Sequence, residues 1–368
     1  MKVLMKERIK MLKILHVIPN LDTGGAEKML VDIVINMKKS NINCEIAVLA
    51  KAPNFFGDKL LEHEIKIYFG HDSNVYSLKN IFFLRNIINN NSYDCIHCHL
   101  FGAQLFTPLA MLGLNKDIPL VTTEHSTHNR RRDIKSFYLL DKWMYKKYRR
   151  IIAISEDTKL NLVKYLGFTE HITKVIINGI DLHAYKNGVP ANRMEVLGVD
   201  NNKEILVLMV AGMREQKDPE TLIRASKLLP ENYTVLFVGD GERMNEVQQY
   251  AKDYGSKKVK FLGKRKDIAS IMKMSNIFVL SSKWEGFGLV VVEAAATGLP
   301  VIASNVPGLN NVVKKLEGAL FEVGNENALA DLIIQSASNQ NNTNLNLNEF
   351  SIENTVMQYI ETYKSVIS

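Results

Sequence analysis

The stretch SSKWEGFGLVVVEAAATGLPVIAS, residues 281–304, decides the fold of this chain. The apolar run that ends in SS and the later run PVIAS have the length and composition of buried strands. Between them, a loop with Gly286 and Gly288 leads into GLVVVEAAATG, whose length and alanines predict a helix. Strand, glycine loop, helix and strand in this order form the unit from which parallel sheets are built.

The same alternation continues on both sides of this unit. In the first half, the strands predicted are KILHVIPN, CEIAVLA, DCIHCHL, LVTTEH and IIAIS, with a helix from Ala26 to about Lys38. In the second half they are EILVLMVAG, TVLFVGDG, KVKFLG, IFVLSS and PVIAS, with helices between them. The pattern predicts an α/β protein with two Rossmann-like, doubly wound domains.

The predicted domain limits follow from the break between the two series. Residues 1–183 form an N-terminal domain, 184–204 a linker, 205–345 a C-terminal domain and 346–368 a final amphipathic helix. The extension MKVLMKERIK is expected to be disordered, and the polar segment 338–349 to be a loop.

Composition is typical of a globular protein in a reducing compartment. The chain has 368 residues, 46% of them hydrophobic and 23% charged, with three cysteines. It contains no apolar run of about 18 residues and no signal peptide at its start. We therefore expect a cytoplasmic protein.

Much of the net charge of +7 lies in residues 130–150, where nine basic side chains accompany two acidic ones. Aromatic and aliphatic residues recur there at helical spacing. The segment is either a helix that contacts an anionic membrane, which would place the protein at the cytoplasmic face of the inner membrane, or a solvated helix packed on its own domain. No nucleic-acid recognition motif accompanies the charge.

The motif CIHCH, residues 95–99, has the spacing of a c-type haem attachment site. In a strand, however, Cys95 and Cys98 point to opposite faces and lie roughly 10 Å apart, too far for a disulfide. His97 and His99 point to the same face. A haem- or metal-binding protein that uses Cys95, Cys98 and His99 is retained as an alternative from another class.

Ligands of open parallel sheets bind beyond the carboxyl ends of the strands, so the loops there hold the candidate site residues. Gly24 and Gly25 lie in such a loop, where backbone can approach a ligand. Arg214 and Lys217 follow another strand and are either surface cations or a diphosphate clamp. The GDG at 239–241 lacks the third glycine of a dinucleotide fingerprint.

Two carboxylates, Glu285 and Glu293, flank the helix start at Gly286 and Gly288, where exposed amides suit a phosphate. Eight residues of helix would separate them by about 12 Å, beyond the ~5–10 Å of glycosidase pairs. Carboxylates on either side of a phosphate site instead suit hydrogen bonds from sugar hydroxyls.

Taken together, Glu285-x7-Glu293 in WEGFGLVVVEAAATGLPVIAS, Arg214 and Lys217 after a strand, GDGE, FLG and the N-terminal GGAE resemble glycosyltransferase family 4. The resemblance covers nearly the whole chain and is most specific over 205–310. It implies the GT-B fold, in which two Rossmann-like domains face a cleft and the C-terminal one holds a nucleotide sugar. It also implies retention of configuration and a final helix that returns to the N-terminal domain.

Residue by residue, the resemblance assigns Arg214 and Lys217 to the donor diphosphate, Glu285 to hydroxyls of the transferred sugar and Glu293 to the ribose. It gives Phe287, Gly288 and Leu289 loop contacts with sugar and phosphate, and it brings Gly25 to the donor from across the cleft. His99 resembles the strand-end histidine near the reacting centre. His97 and His125 are weaker candidates for that place.

The resulting hypothesis is a metal-independent hexosyltransferase, since no Asp-x-Asp occurs in the sequence and fixed cations can stabilise the leaving diphosphate. The donor is expected to be a UDP-sugar, and the acceptor a glycan or polyprenyl-diphosphate-linked glycan of bacterial surface polysaccharide synthesis. No tightly bound cofactor and no metal ligand is predicted. A GT-B nucleotide-sugar hydrolase or epimerase is the alternative within the same fold.

Overall fold

The computed structural model describes residues 11–51, 54–127, 130–198, 203–338 and 345–367. The predicted extension at residues 1–10 lies outside this part, as do residues 339–344 of the predicted polar loop. The described residues fold into two α/β domains, each built on a parallel sheet. The predicted fold class is confirmed.

The N-terminal sheet has the strand order β3-β2-β1-β4-β5-β6-β7 within the described residues, and its neighbouring strands are parallel. Its inner strands are buried along almost their whole length, as expected for a sheet covered on both faces. The strands are β1 (Lys13–Ile18), β2 (Asn43–Val48), β3 (Lys66–Phe69), β4 (Cys95–His99), β5 (Leu120–Glu124), β6 (Arg150–Ala153) and β7 (Thr173–Val175).

Helices follow most of these strands and cover both faces of the sheet. They are α1 (Gly25–Lys39), α2 (Gly57–Glu62), α3 (Lys79–Asn90), α4 (Leu100–Met111), α5 (Phe137–Tyr145) and α6 (Glu156–Leu166). Residues at both ends of α6 determine where this helix begins and ends. The Ser155 hydroxyl caps its start by accepting a hydrogen bond from the Thr158 amide, and Gly167 ends it with a left-handed φ of 76°.

The C-terminal sheet has the order β10-β9-β8-β11-β12-β13 in the described part, again parallel throughout. Its strands are β8 (Ile205–Val210), β9 (Tyr233–Val238), β10 (Val259–Phe261), β11 (Ile277–Leu280), β12 (Val301–Ser304) and β13 (Ala319–Phe321). The accompanying helices are α7 (Leu182–Lys186), α8 (Arg193–Leu197), α9 (Pro219–Ser226), α10 (Met244–Tyr254), α11 (Ile268–Met274), α12 (Leu289–Ala296), α13 (Asn310–Lys315) and α14 (Glu326–Ser338).

The last helix, α15 (Ile352–Ile367), packs against the N-terminal domain. Its buried residues Ile352, Val356, Tyr359 and Tyr363 join the core that lies between the first sheet and α1. The strand β1 and the helix α15 therefore share one hydrophobic core. The domain limits stated above stay predictions, but the two sheets themselves end at Val175 and begin at Ile205.

The basic segment 130–150 is not one helix. It forms a 3-10 turn at Arg130–Asp133, then α5, and its last residue begins β6. Arg131 forms an ion pair with Asp141, and Arg132 with Glu124 at 2.6 Å, so two of the nine cations are buried inside the domain. The aromatic side chains of Tyr145 and Tyr148 are buried as well, because they fill the core under α4.

None of the helices in the described ranges is both long and apolar enough to cross a bilayer.

Candidate active site

The two domains contact each other through loops and helices at the carboxyl ends of their sheets, next to the topological switch points where strand order reverses and where ligands of such sheets bind. In the N-terminal sheet this point lies between β1 and β4, and in the C-terminal sheet between β8 and β11. Hydroxyls of the N-terminal domain hold the loop after β11: Thr127 donates to the Glu285 carbonyl at 2.7 Å, and Ser155 to the Gly286 carbonyl at 3.1 Å. The Gly308 amide donates to Asp157 at 2.9 Å.

The loops after β8 and β11 bring the first predicted cation and carboxylate together. Lys217 forms an ion pair with Glu285, whose Oε1 also accepts from the Ser282 hydroxyl at 3.0 Å. Glu285 is buried, whereas Lys217 is partly exposed. In the ligand-free protein, this ion pair holds the side chains of Lys217 and Glu285 in position. A ligand with both an anionic group and hydroxyls can then replace each side chain as the other's partner.

Arg214 lies at the same strand end and is exposed. It acts electrostatically on two carboxylates of the opposite domain: it adds to the Thr23 amide and Lys264 in lowering the pKa of Asp22, and it opposes the burial that raises the pKa of Glu27. Asp22 also forms an ion pair with Lys264 at 3.3 Å. Arg214 thus faces carboxylates across the cleft.

Glu293, the second predicted carboxylate, is buried on α12 and paired with the N-terminal domain. Its Oε1 lies 2.8 Å from Nζ of Lys28 on α1. Lys28 also contacts Asp32 at 3.1 Å, and Lys59 contacts the other oxygen of Asp32 at 2.8 Å. Burial alone would lower the pKa of Lys28, but Glu293 and Asp32 outweigh it and hold that pKa well above its ordinary value.

Gly25 opens α1 and faces open space, since a Cβ built there meets no atom of the described residues within 4 Å, apart from its chain neighbours and the backbone of its own helix. The neighbouring Gly24 is different, because a Cβ there would lie 1.9 Å from the Glu27 carboxylate. Burial raises the pKa of Glu27 to about 7, although its own backbone amide and Arg214 oppose the shift.

The glycine loop before α12 is shaped by close contacts. A Cβ on Gly286 would lie 2.5 Å from the His125 carbonyl oxygen of the other domain, and Gly288 has a φ of 77°. The Phe287 side chain is buried against Phe350, with ring centroids 6.1 Å apart, so it is turned into the core. Leu289 packs against the cores of both domains.

His99 lies at the end of β4, but its ring is buried rather than open to the cleft. His125, at the end of β5, is partly exposed and stands in front of it, with Nε2 of His125 3.3 Å from Nδ1 of His99. Leu100 has a left-handed φ of 66°, a strained turn that fixes the strand end next to His99. The part that His99 takes in a reaction stays a prediction.

Cys95 and Cys98 pack into cores on opposite faces of the sheet, as predicted from strand geometry. Burial raises the pKa of both thiols, that of Cys98 to about 11, so both stay protonated at neutral pH. The two sulfurs cannot reach one haem or one metal ion. A different trio, His16, His97 and His99, does bring its ligand nitrogens within 4.8 Å of one another.

The residues that face the predicted ones from the other domain were not predicted from the sequence. Lys28 and Glu27 belong to the same GGAEK motif as Gly25, and that motif is the signal that could have pointed to them. His16 carries no local signal, because only strand pairing places it opposite His97.

Two Rossmann-like domains joined at their switch points, with paired cations and carboxylates between them, define the class of GT-B transferases. The chain belongs to the glycosyltransferases of the family 4 type. Residues 23–184 match the family model described as "Glycosyltransferase Family 4", and residues 196–353 match "Glycosyl transferases group 1".

Named relatives agree with this assignment. The chain is 30% identical over 281 residues, 71% of this chain and 70% of the relative, to the UDP-Gal:alpha-D-GlcNAc-diphosphoundecaprenol alpha-1,3-galactosyltransferase of Escherichia coli. It is 26% identical over 342 residues, 87% of each chain, to a Campylobacter jejuni alpha-1,4-N-acetyl-D-galactosaminyltransferase that acts on a diNAcBac-PP-undecaprenol glycan.

A solved structure of Anabaena Alr3699/HepE in complex with UDP-glucose superposes with a TM-score of 0.83 at 25% identity, covering 96% of this chain and 100% of that one. The prediction of a glycosyltransferase is confirmed. The hydrolase or epimerase and the haem or metal protein receive no support.

Proposed function

We propose that this protein transfers a hexose from a UDP-sugar to a polyprenyl-diphosphate-linked glycan, with retention of configuration and without a metal ion. The main observation behind the proposal is the ion pair between Lys217 and Glu285. It lies in the loop before α12, in the cleft between the two domains. The activities for which the Escherichia coli and Campylobacter jejuni relatives are named, and the UDP-glucose bound by the Anabaena protein, support the choice of donor and acceptor.

On this proposal the donor diphosphate lies between Arg214, Lys217 and the first amides of α12. Cleavage of the bond between the sugar and the diphosphate leaves negative charge on the diphosphate, which fixed cations stabilise more in the transition state than in the ground state. The acceptor hydroxyl forms the new bond on the same face of the sugar and passes its proton to the departing diphosphate. Arg214 and Lys217 take the place that a divalent ion holds elsewhere.

Two carboxylates then orient the nucleotide sugar, one at its sugar and one at its ribose. Glu285 exchanges Lys217 for hydroxyls of the transferred sugar, and Glu293, held by Lys28, accepts from the ribose. Gly25 admits the donor because nothing projects from it. His99 acts through His125, since only the latter is partly exposed at the cleft.

The proposed acceptor lies at a membrane, and the N-terminal domain carries a surface that suits one. Leu78, Phe82 and Leu139 are 69%, 73% and 73% exposed on or beside α3 and α5, which both pack against α4. Lys135 and Lys146 are exposed near α5. Exposed apolar side chains among cations are typical of peripheral contact with anionic lipid.

A donor screen and a transfer assay test the proposal. Among UDP-, GDP- and ADP-sugars, a UDP-sugar should raise the melting temperature most. With that donor, an undecaprenyl-diphosphate-linked sugar should be extended in EDTA, and NMR should show an α-linkage from an α-linked donor. A product of inverted configuration, or transfer that stops in EDTA, would contradict the corresponding part of the proposal.

Membrane contact has its own test. Sedimentation with phosphatidylglycerol vesicles should fall when Phe82→Glu and Leu139→Glu are combined. Leu160→Glu changes another exposed leucine, on α6, and its sedimentation should match that of the unchanged protein.

A further inference from the structure

Three histidines form a continuous hydrogen-bonded chain from the interior of the N-terminal sheet to the cleft. Nδ1 of His16 on β1 lies 3.1 Å from Nε2 of His99, and Nδ1 of His99 lies 3.3 Å from Nε2 of His125. His16 and His99 are buried, and His125 is partly exposed at the end of β5. At the inner end, Nε2 of His16 is buried and has no hydrogen-bond partner among the described residues.

The chain is electrically neutral over the ordinary pH range. Burial lowers the pKa of His16 to about 3 and that of His125 to about 4, although Glu124 beside His125 opposes the second shift. Burial, and then the neighbouring histidines, also hold the pKa of His99 well below its ordinary value. Each ring therefore carries one proton.

Neutral rings leave the chain only two proton arrangements that make both hydrogen bonds. In one, all three rings are protonated on Nδ1, so His125 presents an N–H to the cleft and His16 leaves a bare lone pair in the core. In the other, all three are protonated on Nε2, so His125 presents a lone pair and His16 buries an N–H without a partner. Buried N–H groups without partners are the rarer case in proteins, and this favours the first arrangement.

We propose that His16 is a positioning residue which, through His99, fixes His125 as the Nδ1–H tautomer, so that the cleft receives a hydrogen-bond donor. The group that His125 meets is then an acceptor oxygen, a sugar hydroxyl or a phosphate oxygen of the ligand. Only the identity of that oxygen rests on the proposed function. The tautomer is a property of the free protein.

The same cluster does not have the geometry of a metal site. Both nitrogens of His97 are hydrogen-bonded, to Tyr363 at 2.6 Å and to Thr123 at 2.8 Å. The His16 and His99 rings are stacked, with an interplanar angle of 21°, and their facing nitrogens share a proton. His97 lies beside the chain, since its ring packs against that of His99, with centroids 4.2 Å apart and planes tilted by 32°, without a hydrogen bond to it.

The primary test is the tautomer of each histidine in the ligand-free protein. Long-range ¹H–¹⁵N correlation spectra separate protonated from unprotonated ring nitrogens, and we expect Nδ1–H at His16, His99 and His125. An Nε2–H form at His125 would overturn the proposal. So would one equivalent of a transition metal that is retained by the purified protein and lost in His16→Asn.

Two isosteric variants test the role of His16. In His16→Asn the amide NH₂ can still donate to His99, so His125 should keep Nδ1–H. In His16→Asp a carboxylate accepts from Nε2–H of His99 instead, so the chain should reverse and His125 should change to Nε2–H. The rate of UDP-sugar consumption should then fall about tenfold in His16→Asp and stay within about twofold in His16→Asn, the range of one hydrogen bond.

His97→Gln is the matched control for burial, because it perturbs an equally buried histidine outside the chain. It should lower the melting temperature and leave the His125 tautomer unchanged. An unchanged tautomer in a folded His16→Asp variant would refute the role of His16. If His16→Asp does not fold, the tautomers of the unsubstituted protein decide the proposal. Nδ1–H at His125 together with no sugar transfer would refute the proposed function alone.

Discussion

The ammonium of Lys28 on α1 lies 2.8 Å from the carboxylate of Glu293 on α12, so an ion pair joins the two domains across the cleft. The two residues are 265 positions apart in the sequence and belong to helices of different domains, so only the packing of one domain against the other brings them together. Because Glu293 is also the residue proposed to bind the ribose, closure and donor binding involve the same carboxylate.

Loss of Lys28 should therefore destabilise the closed protein. Lys28→Met leaves Glu293 and Asp32 buried without their shared cation and should lower the free energy of unfolding by about 2 kcal/mol. The measurement is thermal unfolding of Lys28→Met, Glu293→Gln and the double variant. Lys59→Met, which removes a more exposed cation from Asp32, should cost under about 1 kcal/mol. Additive effects of the two substitutions would argue against the ion pair.

Lys217 should matter for nucleotide binding far more than its neighbour Lys283. Lys217→Ala should weaken UDP binding about 10- to 100-fold, since a hydrogen bond between charged groups contributes about 1.5–3 kcal/mol. Titration calorimetry measures this directly. Lys283→Ala removes an exposed cation from the loop after β11 and should change the affinity less than about twofold. Equal losses in both variants would mean that general charge, not the site, binds the diphosphate.

Gly25 should be needed by the ligand and not by the fold. Gly25→Ala adds a methyl group where no protein atom lies within 4 Å, so the melting temperature should be unchanged. If the donor passes close to this backbone, affinity for UDP-glucose should fall by about tenfold or more. Unchanged affinity for both UDP and UDP-glucose would remove Gly25 from the site.

Glu27 should make stability depend on pH in an uncommon direction. Its folded pKa is raised to about 7 by burial, above the ordinary 4.5. The folded state therefore binds the proton more tightly, and the stability this contributes is full below about pH 4.5 and is lost as pH rises to about 7. Glu27→Gln should be more stable than the unchanged protein at pH 8 by up to about 3 kcal/mol, and by much less at pH 5.

Urea unfolding at the two pH values measures this difference. Glu62→Gln, an exposed position on α2, supplies the control. A gain in Glu27→Gln that is the same at both pH values would show that the carboxyl does not titrate between them.

Tyr363 should stabilise the N-terminal domain through its hydroxyl. Its Oη lies 2.6 Å from Nδ1 of His97 inside the core, so Tyr363→Phe should lower the free energy of unfolding by about 1–2 kcal/mol. The exposed Tyr254 on α10 offers the control Tyr254→Phe, which should have no measurable effect. A loss of the same size in both variants would mean that the contact with His97 adds nothing.

The sequence predicted those features that are local in the chain. Most of the strands and the glycine loop are formed by short continuous segments, so periodicity and spacing were enough to predict them, whereas the roles of Arg214 and Lys217 stay predictions. The short edge strands β3, β7 and β13 were missed, because three or four residues give little alternation. Helical spacing across 130–150 was misleading, since a buried ion pair and a strand interrupt it.

Contacts between residues on opposite sides of the cleft could not be predicted from patterns within short segments. Lys28 meets Glu293, and Thr127 meets the Glu285 carbonyl, only because two switch points face each other. His16 meets His99 only because β1 and β4 pair in one register. Contacts of this kind form only in the assembled fold, so no local sequence motif predicts them.

The packing of α15 sets a rule for recombining this protein with its relatives. Since Val356, Tyr359 and Tyr363 complete the core beneath β1 and α1, the N-terminal domain, which we propose to bind the acceptor, is built from two segments that lie far apart in the sequence. A chimera intended to change acceptor choice should exchange residues 352–367 together with the N-terminal half. An exchange with a single crossover would combine α15 of one protein with the N-terminal core of another, and the two packing surfaces would not match.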